Sequence, residues 1–394
     1  MIKSICFVIN KYPNRVEPNV CVFIQQLVWS IADMGIKCVV IVPMPINLNK
    51  EYIKFPFSRI ERNENGKEIK IYHPKYISMG QQGRLAQKTR VSFTTYNYEK
   101  AVDRILSRLN KKPDVLYAHF ICPSGVVAAR LGRKYGIPAF MAHGEATYSG
   151  DAKYGNKRLA RELRNLSGLI AVSSQNKDYC VNAGLIDEKK CGVFPNGFRP
   201  ERFYRHDKKE ARSKFGWNQD AFIVGFCGSF DERKGILRLQ AAVDDMNDVF
   251  FACAGKGKLV PSSKKCLYAK PVNNEDLSWF YSAVDVFALP TEQEGCCNAI
   301  VEAIACGCPI ISSDKPFNYD ICNESNSILI DPDDIDQLKC AINELKTDKK
   351  KLEKLGKGSL ELARRLTLDA RASNIMKFIE ERRLVYDWSG SSTK

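Results

Sequence analysis

No run in this chain reaches the roughly eighteen apolar residues of a membrane span. The nearest, IKCVVIVPMPI at 36–46, is short and broken by prolines. The opening MIKSICFVIN has too brief an apolar stretch for a signal peptide and no small-residue cleavage site, so it reads as a first strand and a cytoplasmic setting is expected. There is no CxxC pair, and Cys296-Cys297 with Cys306 and Cys308 has neither spaced histidines nor paired knuckles, so no zinc site is expected. Most of the fifteen cysteines sit in apolar segments (Cys6, Cys38, Cys227, Cys253, Cys306), where they act as small hydrophobes, and the odd total fits reduced thiols. Neither a Walker A loop nor a Rossmann GxGxxG occurs, and no helix-turn-helix, zinc-finger or RNP signature accompanies the scattered basic residues. Nucleic acid is therefore not an expected partner.

Acidic charge is scarce in one half only. Residues 1–200 hold 31 Lys/Arg against 15 Asp/Glu, a net +16, while residues 201–394 are close to neutral. The first half is thus expected to meet something anionic: a phosphate-bearing ligand or an acidic lipid surface. The alternative is a merely solvated surface.

What is present is a repeated alternation. At 394 residues the chain can bury two cores. Short β-branched runs at 4–9, 37–42, 68–73, 114–120, 137–143, 168–173 and 191–195 are separated by helical patterns, implying a mostly parallel sheet covered on both faces. After the polar, basic stretch at 199–216 the alternation restarts with strands at 222–228, 249–255, 266–271, 284–290, 309–313 and 327–332. The expectation is α/β with two doubly wound Rossmann-like domains, 1–203 and 204–364, and C-terminal helices over 365–394 crossing back to the first. In such sheets ligands bind outside the carboxyl ends of the strands.

The chemical candidates follow those strand ends. His143 closes IPAFMAH, where an imidazole can donate or accept near neutral pH, or be a satisfied structural histidine. His119 precedes bulky Phe120 and suits a supporting role. In GFCGSFDERKG, Gly225 and Gly228 precede Ser229, Arg233 and Lys234, a glycine turn with cations suited to a diphosphate or a plain charged turn. AGKGK adds Gly255 and Lys256. TEQEGCCNAIVEAIACG places Glu294 and Gly295 ahead of a helix and Glu302 inside it, four residues after Asn298. A carboxylate in an apolar run needs a partner that offsets its desolvation, either a neighbouring side chain or a ligand.

Together with AHFICPSG, IPAFMAHGE and VFPNGF, the block EGCCNAIVE followed by AIACGCPII resembles the retaining glycosyltransferases of family 4, with the two-Rossmann GT-B architecture, over nearly the whole chain. That resemblance implies a nucleotide diphosphate sugar as donor substrate, with no cofactor or metal required. Glu302 would hold the ribose, Glu294 the donor sugar's hydroxyls, and Lys234 the leaving diphosphate. His143 would lie beside the sugar's C6 region, and Asn298 and Ala299 would present the helix start. His143, Lys234 and Glu294 are the implied catalytic residues. Gly228, Ser229, Arg233, Gly255, Gly295, Asn298, Ala299 and Glu302 complete the implied donor contacts. The family often carries arginine where this chain has Ser229, which leaves Arg233 as the candidate substitute. The implied reaction is hexosyl transfer to a saccharide acceptor, lipid-diphosphate-linked, in surface polysaccharide assembly, with the enzyme peripheral at the inner membrane face. A non-hydrolysing nucleotide-sugar epimerase and a non-catalytic assembly subunit are the alternatives.

Overall fold

The computed structural model describes residues 1–80, 87–146 and 154–384. The β-branched runs form the strands of two sheets, one in each of two units: Met1–Phe194 with Ala372–Lys394, and Pro195–Arg371. The chain passes between units at 194/195 and again at 371/372, where the sequence suggested 203 and 364. The PNGF segment accordingly belongs with the second unit.

In the first unit eight strands lie in the order Cys191–Val193, Gly168–Ala171, Ala139–His143, Val115–His119, Ser4–Ile9, Lys37–Ile41, Glu68–Tyr72, Ser58–Arg62. All pairs are parallel except the last. Alternation along Ser4–Ile9 feeds two cores: Ile5, Phe7 and Ile9 face one, Cys6 and Val8 the other. The last helix, Leu368–Leu384, contributes Ala372, Ile375, Met376 and Ile379 to the same core as Phe7. Strand order reverses between Ser4–Ile9 and Val115–His119.

The second unit has six parallel strands ordered Cys266–Lys270, Val249–Gly257, Phe222–Phe230, Val286–Leu289, Ile310–Ser313, Ser327–Ile330. Its order reverses between Phe222–Phe230 and Val286–Leu289, so the loops leaving those two strands diverge and open a crevice. These loops carry Arg233-Lys234 and Glu294-Gly295.

Two elements escaped the hydrophobic pattern. Ser58–Arg62 has one aliphatic residue, Ile60, and that is 61% exposed, so this antiparallel edge strand shows no buried face. The helix Lys208–Phe215 lies in the stretch that read as polar connection. It is held by its cap and by charge: the Asp207 carboxylate accepts from the amides of Lys209 (2.9 Å) and Glu210 (3.1 Å), and Gly216 closes the far end at φ 70°. From its inner face the buried Arg212 donates to Asp285 (2.6 Å), whose carboxylate also accepts from Lys208 (2.7 Å) and the Ile223 amide (2.7 Å).

Asp285→Ala strands the Arg212 guanidinium without its acid and is expected to cost about 3–5 kcal/mol, whereas Lys208→Ala removes a more exposed partner worth about 1 kcal/mol or less. Urea unfolding of both variants checks this; equal losses would show that the helix is not held by that buried pair.

Candidate functional site

The site in the second unit begins with a backbone constraint. Gly228 and Gly255 are directly opposite in the parallel pair Phe222–Phe230 and Val249–Gly257. A Cβ on residue 255 would fall on the carbonyl oxygen of Gly228, so the two strand ends approach as closely as they do only because residue 255 has no side chain. The Lys234 side chain runs past Gly228, about 3.5 Å from where a Cβ would stand.

Beside this bare stretch two loops are tied by charge. Glu294 Oε1 takes an ion pair from Lys234 Nζ (2.7 Å) and another from Arg233 (2.5 Å), and accepts from Thr291 Oγ1 (3.1 Å). Arg233 also donates to the Gln293 carbonyl (2.7 Å). Lys234 is 9% exposed. Burial works to lower its pKa, but Cys297 and Glu294 outweigh it and hold the ammonium above the ordinary lysine range. The acid that the sequence places ahead of an apolar run therefore has side-chain partners, and they are the two cations expected to meet a diphosphate. Ser229 donates to Asp231 (2.5 Å), whose other oxygen accepts from the Lys234 amide (3.0 Å). Ser229 thus serves the turn that aims Lys234.

The helix Asn298–Ala305 starts against this cluster. Its N-cap, Cys297, makes no side-chain cap hydrogen bond; the thiol lies 3.8 Å from Lys234 Nζ. The first amides, those of Asn298 and Ala299, lie at the positive end of the helix dipole. Asn196 braces the helix start: its side chain donates to Asn298 Oδ1 (2.8 Å) and to the Cys296 carbonyl (3.0 Å). Asn196 lies in VFPNGF, and its bracing of this helix start is visible only in three dimensions.

Glu302 projects from the second turn and is partly buried. Its partner is the hydroxyl of fully buried Tyr281, which donates at 2.9 Å, and not a lysine. Burial raises the Glu302 carboxyl to about 7, with the Tyr281 hydrogen bond acting the other way. Tyr281 had no sequence signal beyond its place in the helix Leu277–Ala283.

The structure brings Gly228, Ser229, Arg233, Lys234, Gly255, Glu294, Gly295, Asn298, Ala299 and Glu302 to the carboxyl end of one sheet. His143 belongs to the first unit. It ends strand Ala139–His143, fully buried, with Nδ1 3.6 Å from Glu145 Oε2 and its ring 6.0 Å from that of Tyr179. His119, on the neighbouring strand, packs between the rings of Phe23 and Phe120 at 5.4 and 4.6 Å. Among the described residues no cluster of three His, Cys, Asp or Glu is arranged to hold a metal ion, and no helix is long and apolar enough to cross a membrane.

Two Rossmann-like units with these strand orders match the GT-B class of glycosyltransferase fold, and solved structures agree. Sucrose-phosphate synthase from Thermosynechococcus elongatus aligns with a TM-score of 0.74 at 18% identity, covering 97% of this chain and 100% of that one. Anabaena HepE in complex with UDP aligns at 0.72 and 15% identity, covering 96% and 100%. The chain itself belongs to glycosyltransferase family 4: residues 22–202 match Glycosyltransferase Family 4 and residues 207–361 match Glycosyl transferases group 1. Among relatives, Bacillus subtilis TuaC, named as a teichuronic acid biosynthesis glycosyltransferase, is 26% identical over 343 residues, 84% of this chain and 85% of that protein. An Escherichia coli UDP-Gal:alpha-D-GlcNAc-diphosphoundecaprenol alpha-1,3-galactosyltransferase is 26% identical over 264 residues, 61% and 68% of the two chains.

The raised Glu302 carboxyl makes a signed prediction. The folded protein binds this proton more tightly than the unfolded chain, so the stability linked to it is full below the ordinary glutamate range and falls as pH rises through about 7. Thermal denaturation of the native protein and Glu302→Gln between pH 5 and pH 8 is expected to show the native protein losing ground to the variant as pH rises. Parallel curves would mean that the carboxyl titrates normally.

Proposed function

We propose that this glycosyltransferase moves a hexosyl group, with retention at the anomeric carbon, from a nucleotide diphosphate sugar to a hydroxyl of a saccharide acceptor. The observation that carries the proposal is the meeting of Lys234, Arg233 and Glu294 at bare strand ends, beside a helix start without a side-chain cap. A diphosphate entering there brings negative charge to two cations now shared by one carboxylate. Lys234 and Arg233 turn toward the phosphate oxygens, and the helix-start amides at Asn298 and Ala299 add donors. Glu294, relieved of part of its pairing, accepts from the sugar's hydroxyls. Glu302 accepts from the ribose hydroxyls, with Tyr281 holding one of its oxygens.

Bond cleavage leaves charge on the departing diphosphate, and Lys234 stabilises it where it develops. Front-face substitution follows, in which the acceptor hydroxyl attacks the anomeric carbon on the side the diphosphate leaves and gives its proton to a diphosphate oxygen. His143, which the family resemblance implies beside the sugar's C6 region, is the first unit's candidate for a further contact. The nucleotide is UDP or GDP. The acceptor is a lipid-diphosphate-linked saccharide in surface polysaccharide assembly, supported by the named roles of the Bacillus and Escherichia relatives.

Calorimetric titration with UDP, GDP and their hexose conjugates tests this. One nucleotide is expected to bind selectively, with Lys234→Ala and Glu302→Ala each weakening it at least tenfold. The cost follows from removing a charged partner of the ligand, about 1.5–3 kcal/mol. Absence of binding by any of them would turn the reading toward a non-catalytic assembly subunit.

A further inference from the structure

The loops that leave strands Phe222–Phe230 and Val286–Leu289 are joined a second time, through backbone carbonyls. Arg238 belongs to the helix Ile236–Asp244, which begins two residues after Lys234. Its Nη2 donates to the Pro290 carbonyl (2.9 Å) and approaches the Arg233 carbonyl at 3.5 Å, while Nη1 donates to Glu292 Oε1 (2.7 Å). The two loops also bond to each other: the Glu292 amide donates to the Arg233 carbonyl (2.9 Å), and the Thr291 hydroxyl lies 3.2 Å from the same oxygen. The Arg238 side chain is 16% exposed, and Pro290 is buried.

Gly235 permits this closeness. At φ 76° it stands where a Cβ would fall on the Pro290 carbonyl oxygen and 2.9 Å from Arg238 Nε and Nη2, so the main chain of one loop rests against the helix entry of the other. Helix stability does not account for the arginine. Arg238 lies in the first turn, where a cation opposes the helix dipole, and that turn holds no acid to offset it. What an arginine supplies there is a planar fork that reaches two carbonyls and a carboxylate at once. Both carbonyls adjoin the site: Arg233 immediately precedes Lys234, and Pro290 precedes Thr291, whose hydroxyl is 3.1 Å from Glu294 Oε1.

We propose that Arg238 is a positioning residue: by holding the Pro290 and Arg233 carbonyls on one guanidinium it sets the distance between the loop that carries Lys234 and the loop that carries Glu294, and so the opening that a diphosphate must fit. The role rests on the reading of this crevice as the donor site. The contacts of Arg238 are with backbone oxygens and with Glu292, so it acts on Lys234 and Glu294 through the main chain. The Glu294 pairing joins the same loops by side chains, and a phosphate that draws Lys234 or Arg233 away loosens it. The Arg238 fork is bound to the backbone and keeps the loops in register through that exchange.

Amide hydrogen exchange of the ligand-free protein and calorimetric titration with UDP and GDP test this together. Arg238→Ala is expected to exchange about tenfold faster over 231–235 and 290–297 and to bind the nucleotide about tenfold more weakly than the native protein, the loss of hydrogen bonds from a charged donor. Lys265→Ala is the control for stability, because Lys265 Nζ donates to the Val243 and Asp244 carbonyls (3.0 and 2.8 Å) at the other end of the same helix. It should weaken the helix while leaving nucleotide affinity and exchange over those two segments unchanged. Arg238→Lys keeps the charge without the fork; it is expected to fall between native protein and Arg238→Ala, and it carries the test if the alanine variant does not fold. Native-like exchange or native-like affinity in Arg238→Ala, or an equal loss of affinity in Lys265→Ala, would overturn the positioning role. No nucleotide binding by the native protein, with faster exchange in Arg238→Ala, would instead leave the brace standing and remove the donor reading.

Discussion

The second unit is organised around one carboxylate that cannot be left unmatched. Glu294 lies just ahead of an apolar run, 12% exposed at its side chain, and a charge in that position must be compensated or neutralised. Compensation comes from Arg233 and Lys234, on the loop that leaves the neighbouring strand. The pairing therefore does more than satisfy an acid. It ties together the two connections that part at the reversal of strand order, and so fixes the width of the crevice between them. The start of the helix Asn298–Ala305 is set by the same tie, since Glu294 precedes its N-cap by only three residues.

This arrangement bears on the proposed diphosphate contact. Two cations share the Glu294 carboxylate, and the nearby Asp231, held in the turn by Ser229 and the Lys234 amide, adds a second negative charge that acts on both. An isolated buried ion pair of one plus one would gain little by exchanging its partner for a phosphate. The glycines opposite each other at 228 and 255 supply the second requirement, a strand-end surface without side chains where a phosphate chain can approach the backbone.

Most of this was legible in the sequence because it is written in period and spacing. The central strands of both sheets are buried on two faces, so their hydrophobic runs are continuous and easy to find, and each candidate donor contact follows such a run. What escaped depends on pairing across distance. Ser58–Arg62 shows no face because it is an edge. Lys208–Phe215 is stabilised by a cap and a buried Arg212–Asp285 pair separated by more than seventy residues. Asn196 and Tyr281, which hold Asn298 and Glu302 in place, have no local signature because their partners lie 102 and 21 residues away. Their identity as an amide and a phenol becomes meaningful only once the sheet has placed them.

The two units put charge to opposite uses. In the second, cations are balanced nearly one for one, and Arg233 and Lys234 are paired with a named acid. In the first, the acids of the helices Gln87–Arg108 and Asn156–Leu163 converge on Arg130 and Lys134, which concentrates the negative charge and leaves the remaining cations facing outward. A stable soluble surface would gain more from interspersed signs, since uncompensated like charges repel across a Debye length.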